Sequence, residues 1–232
     1  MAGYVSIGGN DTWVDDARGS DGAAPVLLLH GGLSNSELLD GALGPTIDGA
    51  GLGRVSFDRR GHGRTRDTDD PFHYRDMATE TIAVLEQVVG EPAHLVGYSD
   101  GANVALLVAI DRPDLVRSMV CISGNYSPDG IHLDIDPDDP ALAMIADAYV
   151  AVSPDGADHF PVVLEKSFAM FASEPDLTTA DLSRISAPTL VIAGDDDAVT
   201  LPHTCSLFEA IPPGDGRVLS LRRLSRRYGA GA

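Results

Sequence analysis

The sequence has few cysteines and no long apolar run, and each shortage excludes a class of protein. Its two cysteines, Cys121 and Cys205, offer neither a disulfide framework nor a metal-ligand spacing. A reduced, cytoplasmic setting is the simplest expectation for such a chain. No apolar stretch approaches the roughly 18–20 residues that span a bilayer, and no signal-peptide pattern is visible at the N-terminus. The sequence therefore predicts a cytoplasmic protein without a membrane partner.

Basic residues are also scarce. The chain has 35 acidic and 16 basic residues, so its formal net charge is −19. Nucleic-acid binding needs a basic footprint, and this balance predicts no nucleic-acid partner. The glycine-rich dinucleotide motif and the P-loop motif are both absent, which disfavours a nucleotide-binding domain. Hydrophobic residues make up 44% of the 232 residues, enough for one globular domain with a single core.

Strand and helix patterns alternate along the first half of the chain, which predicts an α/β fold with a mainly parallel sheet. Predicted strands cover residues 3–7, 11–17, 26–29, 54–57, 92–96, 116–122 and 189–193. Predicted helices cover residues 37–42, 74–89, 102–110, 140–152, 159–173 and 202–211.

Residues 124–183 differ in composition from the rest of the chain. They are rich in proline and acidic residues, and they contain helix patterns but no convincing strand. This segment is predicted to be a helical cap over the sheet. The predicted organisation has four parts: core residues 1–123, cap residues 124–183, core residues 184–213 and an atypical basic tail at residues 214–232.

One motif carries chemistry, because residues 97–101 read Gly-Tyr-Ser-Asp-Gly. An apolar strand pattern precedes the motif and an apolar helix pattern follows it. In this context a serine sits on a sharp turn with its hydroxyl exposed. The pattern predicts that Ser99 occupies a nucleophile position, and an ordinary serine in a turn is the alternative.

Four motifs follow one another along the chain. They are His-Gly-Gly at 30–32, Asp-Arg-Arg-Gly-His-Gly at 58–63, Gly-Tyr-Ser-Asp-Gly at 97–101 and Gly-Asp-Asp-Asp at 194–197. In this order they make the chain similar to the α/β-hydrolase superfamily, in particular to small bacterial esterase-like members with a short helical cap. The resemblance runs from about residue 11 to about residue 213. It implies a mainly parallel sheet flanked by helices, a small-molecule ester substrate, and no cofactor or metal.

The resemblance also implies roles for single residues. Ser99 matches the nucleophile, and Asp197 matches the acid of the catalytic triad, with Asp196 as the weaker alternative. The backbone N–H of Asp100 matches one oxyanion donor. The second donor comes from the His-Gly-Gly loop, where Gly32 is preferred. Leu33 is the alternative at that position.

The base of the triad is not found where the family has it. A serine hydroxyl needs a base, and the family order is Ser, then Asp, then His. After Asp197 the chain has one histidine, His203, which lies at the start of the next predicted helix. His203 is therefore a weak candidate for the base. His132 and His159, in the predicted cap, are weaker still.

The basic tail is the second departure from the family. Of the 15 arginines, five lie in residues 214–232, where family members continue with a strand, a histidine loop and a final helix. The composition suggests the hypothesis of out-of-frame translation of GC-rich DNA, and a genuinely short member with a basic tail is the alternative. Either way, the C-terminal strand and helix are predicted to be incomplete. The uncovered sheet edge predicts self-association.

The sequence thus predicts a carboxylesterase-like serine hydrolase whose activity is impaired by the missing base. A catalytically inactive protein with the hydrolase fold is the alternative. Thioester and C–C bond hydrolysis remain open, because the motifs do not distinguish them. A serine at the motif disfavours a dehalogenase or an epoxide hydrolase, since family members of those kinds carry aspartate there.

Overall fold

A computed structural model describes residues 1–19, 24–132, 140–213 and 216–222 of the chain. Within these ranges one sheet is built from β1 (Ala2–Ile7), β2 (Asn10–Asp16), β3 (Val26–Leu29), β4 (Arg54–Phe57), β5 (Ala93–Tyr98), β6 (Val116–Ile122), β7 (Thr189–Gly194) and β8 (Arg217–Arg222). Their order across the sheet is β1-β2-β4-β3-β5-β6-β7-β8. The pairs β1–β2 and β2–β4 are antiparallel, and every later pair is parallel.

Helices flank this sheet, which confirms the predicted α/β fold with a mainly parallel sheet. A π-helical turn, Leu85–Val89, extends the second helix. None of the helices in the described ranges is long and apolar enough to cross a bilayer. The helices are α1 (Ser36–Gly49), α2 (Tyr74–Val84), α3 (Asp100–Asp111), α4 (Pro140–Val152), α5 (Phe160–Phe171), α6 (Thr179–Leu182) and α7 (Leu201–Ala210).

Helix α3 forms the centre of the core. Every residue from Asp100 to Ile110 is buried, because the helix packs against β3, β5 and β6 on one side and α2 on another. A helix that is apolar around its whole circumference is a buried helix. The position of α3 fixes where its first residue, Asp100, meets the sheet.

Helix α1 is longer than predicted, since the sequence indicated residues 37–42 only. Gly44 and Pro45 are local signals that end a helix. The helix nevertheless continues, because Arg54 of β4 binds carboxylates on both sides of the proline. Its Nε donates to Asp40 Oδ1 at 2.5 Å, and its Nη1 donates to Asp48. A tertiary contact thus overrides the local preference.

The cap helices dock on the core through buried and half-buried charges. The side chain of Asp67 is 1% exposed. It accepts hydrogen bonds from two cap residues, Lys166 Nζ at 2.7 Å and His159 Nε2 at 3.0 Å. At a second point Glu174 Oε2 accepts from the N–H of Tyr74, in the first turn of α2, at 2.9 Å. The contacts at Asp67 and at the start of α2 therefore both help to hold the cap helices against the core.

The start of the basic tail is ordered as part of the sheet. Strand β8 pairs in parallel with β7 from Arg217 to Arg222, and Arg217 Nη1 donates to the carbonyl groups of Phe208, Glu209 and Ile211. Residues 214–215 and 223–232, on which the frameshift hypothesis partly depends, lie outside the described residues. The prediction that the family's last helix is incomplete concerns the same positions, so it stays a prediction.

Replacing Asp67 by Asn should lower the free energy of unfolding by about 1.5–3 kcal/mol, the usual contribution of a hydrogen bond to a charged group. Burial raises the pKa of Asp67, but hydrogen bonds from Lys166 and His159 outweigh burial and leave the pKa below its ordinary value of 3.8. The stabilisation is therefore complete above 3.8 and is lost as the pH falls below it. Urea unfolding should separate wild type from variant at neutral pH, and the two should converge in acid. Equal stability at neutral pH would contradict the prediction.

Self-association through the sheet edge stays a prediction. Within the described ranges β8 is the last strand of the sheet, and Val218 on it is 58% exposed. Apolar edge strands pair with other chains, and a lysine on the edge prevents this. Light scattering after gel filtration should show Val218→Lys shifted toward the monomer. The control Val162→Lys, at a 38% exposed position of the cap, should behave as wild type. A wild-type monomer at every concentration would refute the prediction.

Candidate active site

The chain turns sharply at Ser99, between β5 and α3. Ser99 has φ 52° and ψ −119°, a left-handed backbone that costs a non-glycine residue about 1–3 kcal/mol. Hydrogen bonds on both sides hold the turn in place. The Ser99 N–H donates to Ile122 O at 2.8 Å, and Ser99 O accepts from the N–H groups of Ala102 at 2.8 Å and Asn103 at 3.2 Å. The strand, sharp turn and helix that the motif predicts are all present.

The two glycines of the motif allow the turn because they have no side chain. A Cβ at Gly97 would lie 2.3 Å from Gly101 O, and a Cβ at Gly101 would lie 1.9 Å from Leu29 O. Both distances are far below van der Waals contact, and both involve backbone atoms that cannot move aside. The spacing Gly-x-Ser-x-Gly is therefore a packing requirement for α3 to approach β3 and β5 this closely.

The His-Gly-Gly loop after β3 lies directly against this turn. A Cβ at Gly32 would lie 2.3 Å from Asp100 Oδ2 and 2.9 Å from Phe171 Cζ of the cap. Leu33, the next residue, has φ 53°. The loop that holds the two alternative oxyanion donors, Gly32 and Leu33, is thus next to Asp100, the first residue of α3. The first N–H groups of a helix have no partner within the helix and favour negative charge.

Buried groups beneath the loop hold its backbone. Arg59 is 0% exposed, and its Nη2 donates to Gly31 O at 3.1 Å. His30 Nδ1 lies 2.7 Å from the same carbonyl, and its Nε2 accepts from the Arg59 N–H at 3.2 Å. Burial, together with the nearby Arg59 charge, lowers the pKa of His30 well below 6.5. His30 is therefore neutral, and its ring nitrogens help to hold the loop backbone.

The side chain of Asp100 faces away from solvent and toward α2. Tyr74 Oη donates to Asp100 Oδ1 at 2.8 Å. Burial raises the pKa of Asp100, and the charge of Arg59 and the hydrogen bond from Tyr74 offset part of that rise. No sequence pattern points to Tyr74, because its contact with Asp100 joins residues on two different helices, 26 positions apart in the chain. The hydrogen bond from Tyr74 thus fixes the side chain of Asp100, which packs against Gly32.

Asp197 lies in the turn after β7, and its carboxylate points inward. Asp197 Oδ2 accepts from Ser123 Oγ at 2.6 Å and from the Gly194 N–H at 3.1 Å, and Oδ1 accepts from the Val199 N–H at 3.2 Å. Its neighbours Asp195 and Asp196 are exposed. Three hydrogen bonds thus hold the preferred candidate, Asp197, in a fixed orientation.

Sequence reasoning missed Ser123, which links the two predicted catalytic positions. Ser123 follows Ile122, the residue whose carbonyl accepts from Ser99, and its own N–H donates to Ile192 O of β7 at 2.8 Å. The residue has φ 54°, and its hydroxyl binds Asp197. The carboxyl ends of β5, β6 and β7 thereby bring Ser99 and Asp197 to the same edge of the sheet. The only available signal was the position of Ser123 at the end of a predicted strand.

The structure gives His203 a different environment. Its Nε2 accepts from the Tyr126 N–H at 3.1 Å, and its ring stacks on the Tyr126 ring with centroids 4.1 Å apart. Burial lowers the pKa of His203. Across the described ranges, neither Ser99 nor Asp197 has a histidine as a hydrogen-bond partner. In the same ranges no cluster of three or more His, Cys, Asp or Glu residues could hold a metal ion.

Comparisons with known proteins match this fold. Residues 24–160 match the family model described as alpha/beta hydrolase fold. A protein of Variovorax paradoxus (strain S110) with the provisional name carbamate hydrolase RutD is 30% identical over 214 residues, which cover 81% of this chain and 78% of that protein. A similar RutD protein of Pseudomonas savastanoi is 29% identical and covers 82% of both chains.

A solved structure agrees at the level of the fold. An esterase from Exiguobacterium antarcticum has a TM-score of 0.74 at 17% identity, with 95% of this chain and 90% of that chain covered. The matched family model spans more than half of this chain. The protein belongs to the α/β-hydrolase fold family of enzymes.

Proposed function

We propose that this chain hydrolyses small-molecule esters with Ser99 as the nucleophile. The observation that carries the proposal is the left-handed turn at Ser99, φ 52°, at the junction of a parallel strand and a buried helix. A strained residue persists only where the surrounding structure requires it, and such residues cluster at active sites. Here two glycines and three backbone hydrogen bonds maintain the strain. The likeness to an esterase of the same fold supports the reaction type.

The reaction follows from the groups around Ser99. Its Oγ attacks the ester carbonyl carbon, and the carbonyl oxygen becomes an oxyanion. The N–H of Asp100 and the N–H of Gly32, with Leu33 as the alternative, would donate to that oxygen. One such donor contributes about 3–4 kcal/mol to stabilising the transition state. A base takes the Ser99 hydroxyl proton during the attack and gives it to the departing alcohol. Water then attacks the acyl group on Ser99 in the same way, and Ser99 regains a proton as the acid is released.

Carbamate hydrolysis is a second candidate activity. The observation that favours it is the set of relatives with the provisional name carbamate hydrolase, at 29–30% identity over most of this chain. A carbamate has the same carbonyl centre as an ester, so the serine and the oxyanion donors would serve both reactions. The difference is the nitrogen on the carbonyl carbon of a carbamate, which donates electron density and makes that carbon less electrophilic than in an ester. Parallel assays with a carbamate and an ester of equal size distinguish the two activities.

Ser99→Ala should abolish covalent labelling by a fluorophosphonate probe, because the probe bonds only to an activated serine. Ester turnover should fall by roughly 10³-fold or more, as it does when the nucleophile of a serine hydrolase is removed. Ser183→Ala, at an exposed position after α6, is the matched control and should label as wild type does. A wild-type chain that neither labels nor turns over an ester would favour the inactive hydrolase-fold alternative.

Gly32→Ala tests the loop independently of the nucleophile. The new Cβ would lie 2.3 Å from Asp100 Oδ2 and 2.9 Å from Phe171, so the loop must shift relative to α3. We expect kcat to fall by about 10²–10³-fold, the usual cost of losing one oxyanion donor. The control is Gly41→Ala in α1, where nothing lies within 4 Å of the new Cβ. If Gly32→Ala keeps the wild-type kcat, the loop does not supply a donor.

A further inference from the structure

Two buried asparagines connect the turn at Ser99 with the chain that leaves β6. Asn103 is the fourth residue of α3 and is 1% exposed, and Asn125 is 5% exposed. Asn103 Oδ1 accepts from the Asn125 N–H at 2.8 Å, and Asn103 Nδ2 donates to Asn125 Oδ1 at 2.8 Å. Asn125 Nδ2 donates in turn to Ser127 O at 2.9 Å. The side-chain amide of Asn103 therefore binds both the backbone and the side chain of Asn125.

These hydrogen bonds leave each amide one orientation. A backbone N–H can bind only the oxygen of the Asn103 amide, so the Asn103 nitrogen faces Asn125 Oδ1. A carbonyl oxygen can bind only the nitrogen of the Asn125 amide, so that nitrogen faces Ser127 O. Apolar contacts are non-directional, whereas these hydrogen bonds form in one arrangement only. The pair therefore fixes the direction of the chain after β6 as well as its distance from α3.

The segment between β6 and Asn125 lies directly on the first turn of α3. A Cβ at Gly124 would lie 2.7 Å from Ala102 Cβ, an atom fixed by the helix backbone, so a side chain there would push the segment away from the helix. Ser123, the residue before Gly124, has φ 54°. Its N–H donates to Ile192 O of β7, and the asparagine pair holds the chain two residues later. The position of Ser123 is thus fixed from both sides.

Ser123 in turn binds the candidate acid, Asp197. Ser123 Oγ donates to Asp197 Oδ2 at 2.6 Å, a distance typical of a hydroxyl bound to a carboxylate. Asn103 also binds the nucleophile turn, because its backbone N–H donates to Ser99 O at 3.2 Å. One residue thus holds the turn of Ser99 through its backbone and the segment that binds Asp197 through its side chain.

We propose that Asn103 is a positioning residue that sets the orientation of Asp197 relative to Ser99, an inference that rests on the ester hydrolysis proposed above. Asn103 acts through Asn125, which holds the chain at Ser123. The acid of a serine hydrolase orients the base that takes the serine proton, so a displaced Asp197 slows acylation. The side chain of Asn103 is bound to Asn125, so its removal should leave substrate binding unchanged.

The experiment compares ester turnover by wild type, Asn103→Ala, Asn125→Ala, Ser123→Ala and the double variant Asn103→Ala/Ser123→Ala. A fluorophosphonate titration run to completion counts the reactive sites, so that kcat refers to folded protein. Asn103→Ala should lower kcat by about 10–10²-fold with an unchanged KM, because a misplacement of about 1 Å can cost that much in rate. Asn125→Ala keeps the hydrogen bond from its N–H to Asn103 and should lose less.

The double variant tests the route of the effect. If Asn103 acts through Ser123, the double variant should be no slower than the slower single variant, whereas independent effects would multiply. The matched control is Thr189→Ala, which removes a buried hydroxyl that donates to Ala187 O at 2.9 Å, at the opposite end of β7 from Asp197. Thr189→Ala should lower the melting temperature and keep the wild-type kcat per labelled site.

The outcomes separate this inference from the function on which it rests. If wild type shows turnover that depends on Ser99 but Asn103→Ala retains the wild-type kcat, the inference is overturned and the serine hydrolase stands. Losses that multiply in the double variant would also overturn it, since Asn103 would then act independently of Ser123. If Asn103→Ala does not fold, Asn125→Ala decides, and a wild-type kcat in that variant would overturn the inference. A wild type without turnover that depends on Ser99 overturns both.

Discussion

The site depends on how closely α3 approaches the carboxyl ends of β3 and β5. Gly97 and Gly101 permit the approach, because a side chain at either position would overlap backbone atoms at 2.3 and 1.9 Å. Once the helix is that close, the connecting residue must take a left-handed conformation, and Ser99 does. The unpaired N–H groups at the start of α3 then lie beside the His-Gly-Gly loop. One packing constraint thus sets both the strained serine and the position of its potential oxyanion donors.

The buried positive charge of Arg59 also stabilises this arrangement. The Arg59 guanidinium is fully buried, and it donates to the carbonyl of Gly31 in the loop. Burial lowers the pKa of Arg59, and the carboxylate of Asp100 offsets part of that effect. A buried charge is tolerated when an opposite charge and hydrogen bonds compensate it. The same ion therefore fixes the loop and influences the carboxyl group next to Ser99, so the loop and the turn are coupled electrostatically as well as by packing.

The sequence predicted the parts of this structure that depend on local pattern. Continuous apolar runs located the central strands, and the motif at residues 97–101 located the turn. The prediction was incomplete where residues far apart in the sequence determine the local structure. The length of α1 depends on Arg54, and the orientation of Asp197 depends on Ser123, 74 residues away. The hydrogen bond from the His132 N–H to Ala198 O likewise has no signature in the sequence, because it joins the start of the cap to a turn of the core.

Lys166 is the chain's single lysine, and its position makes it a selective target for chemical modification. Its side chain is 15% exposed and its Nζ binds Asp67, at the joint between cap and core. Amine-reactive reagents, which modify most proteins at many surface sites, have one side-chain target here. The rate at which Lys166 is modified would depend on how often its contact with Asp67 opens. The protein therefore carries, at a single position, a chemical reporter of the contact between Lys166 and Asp67.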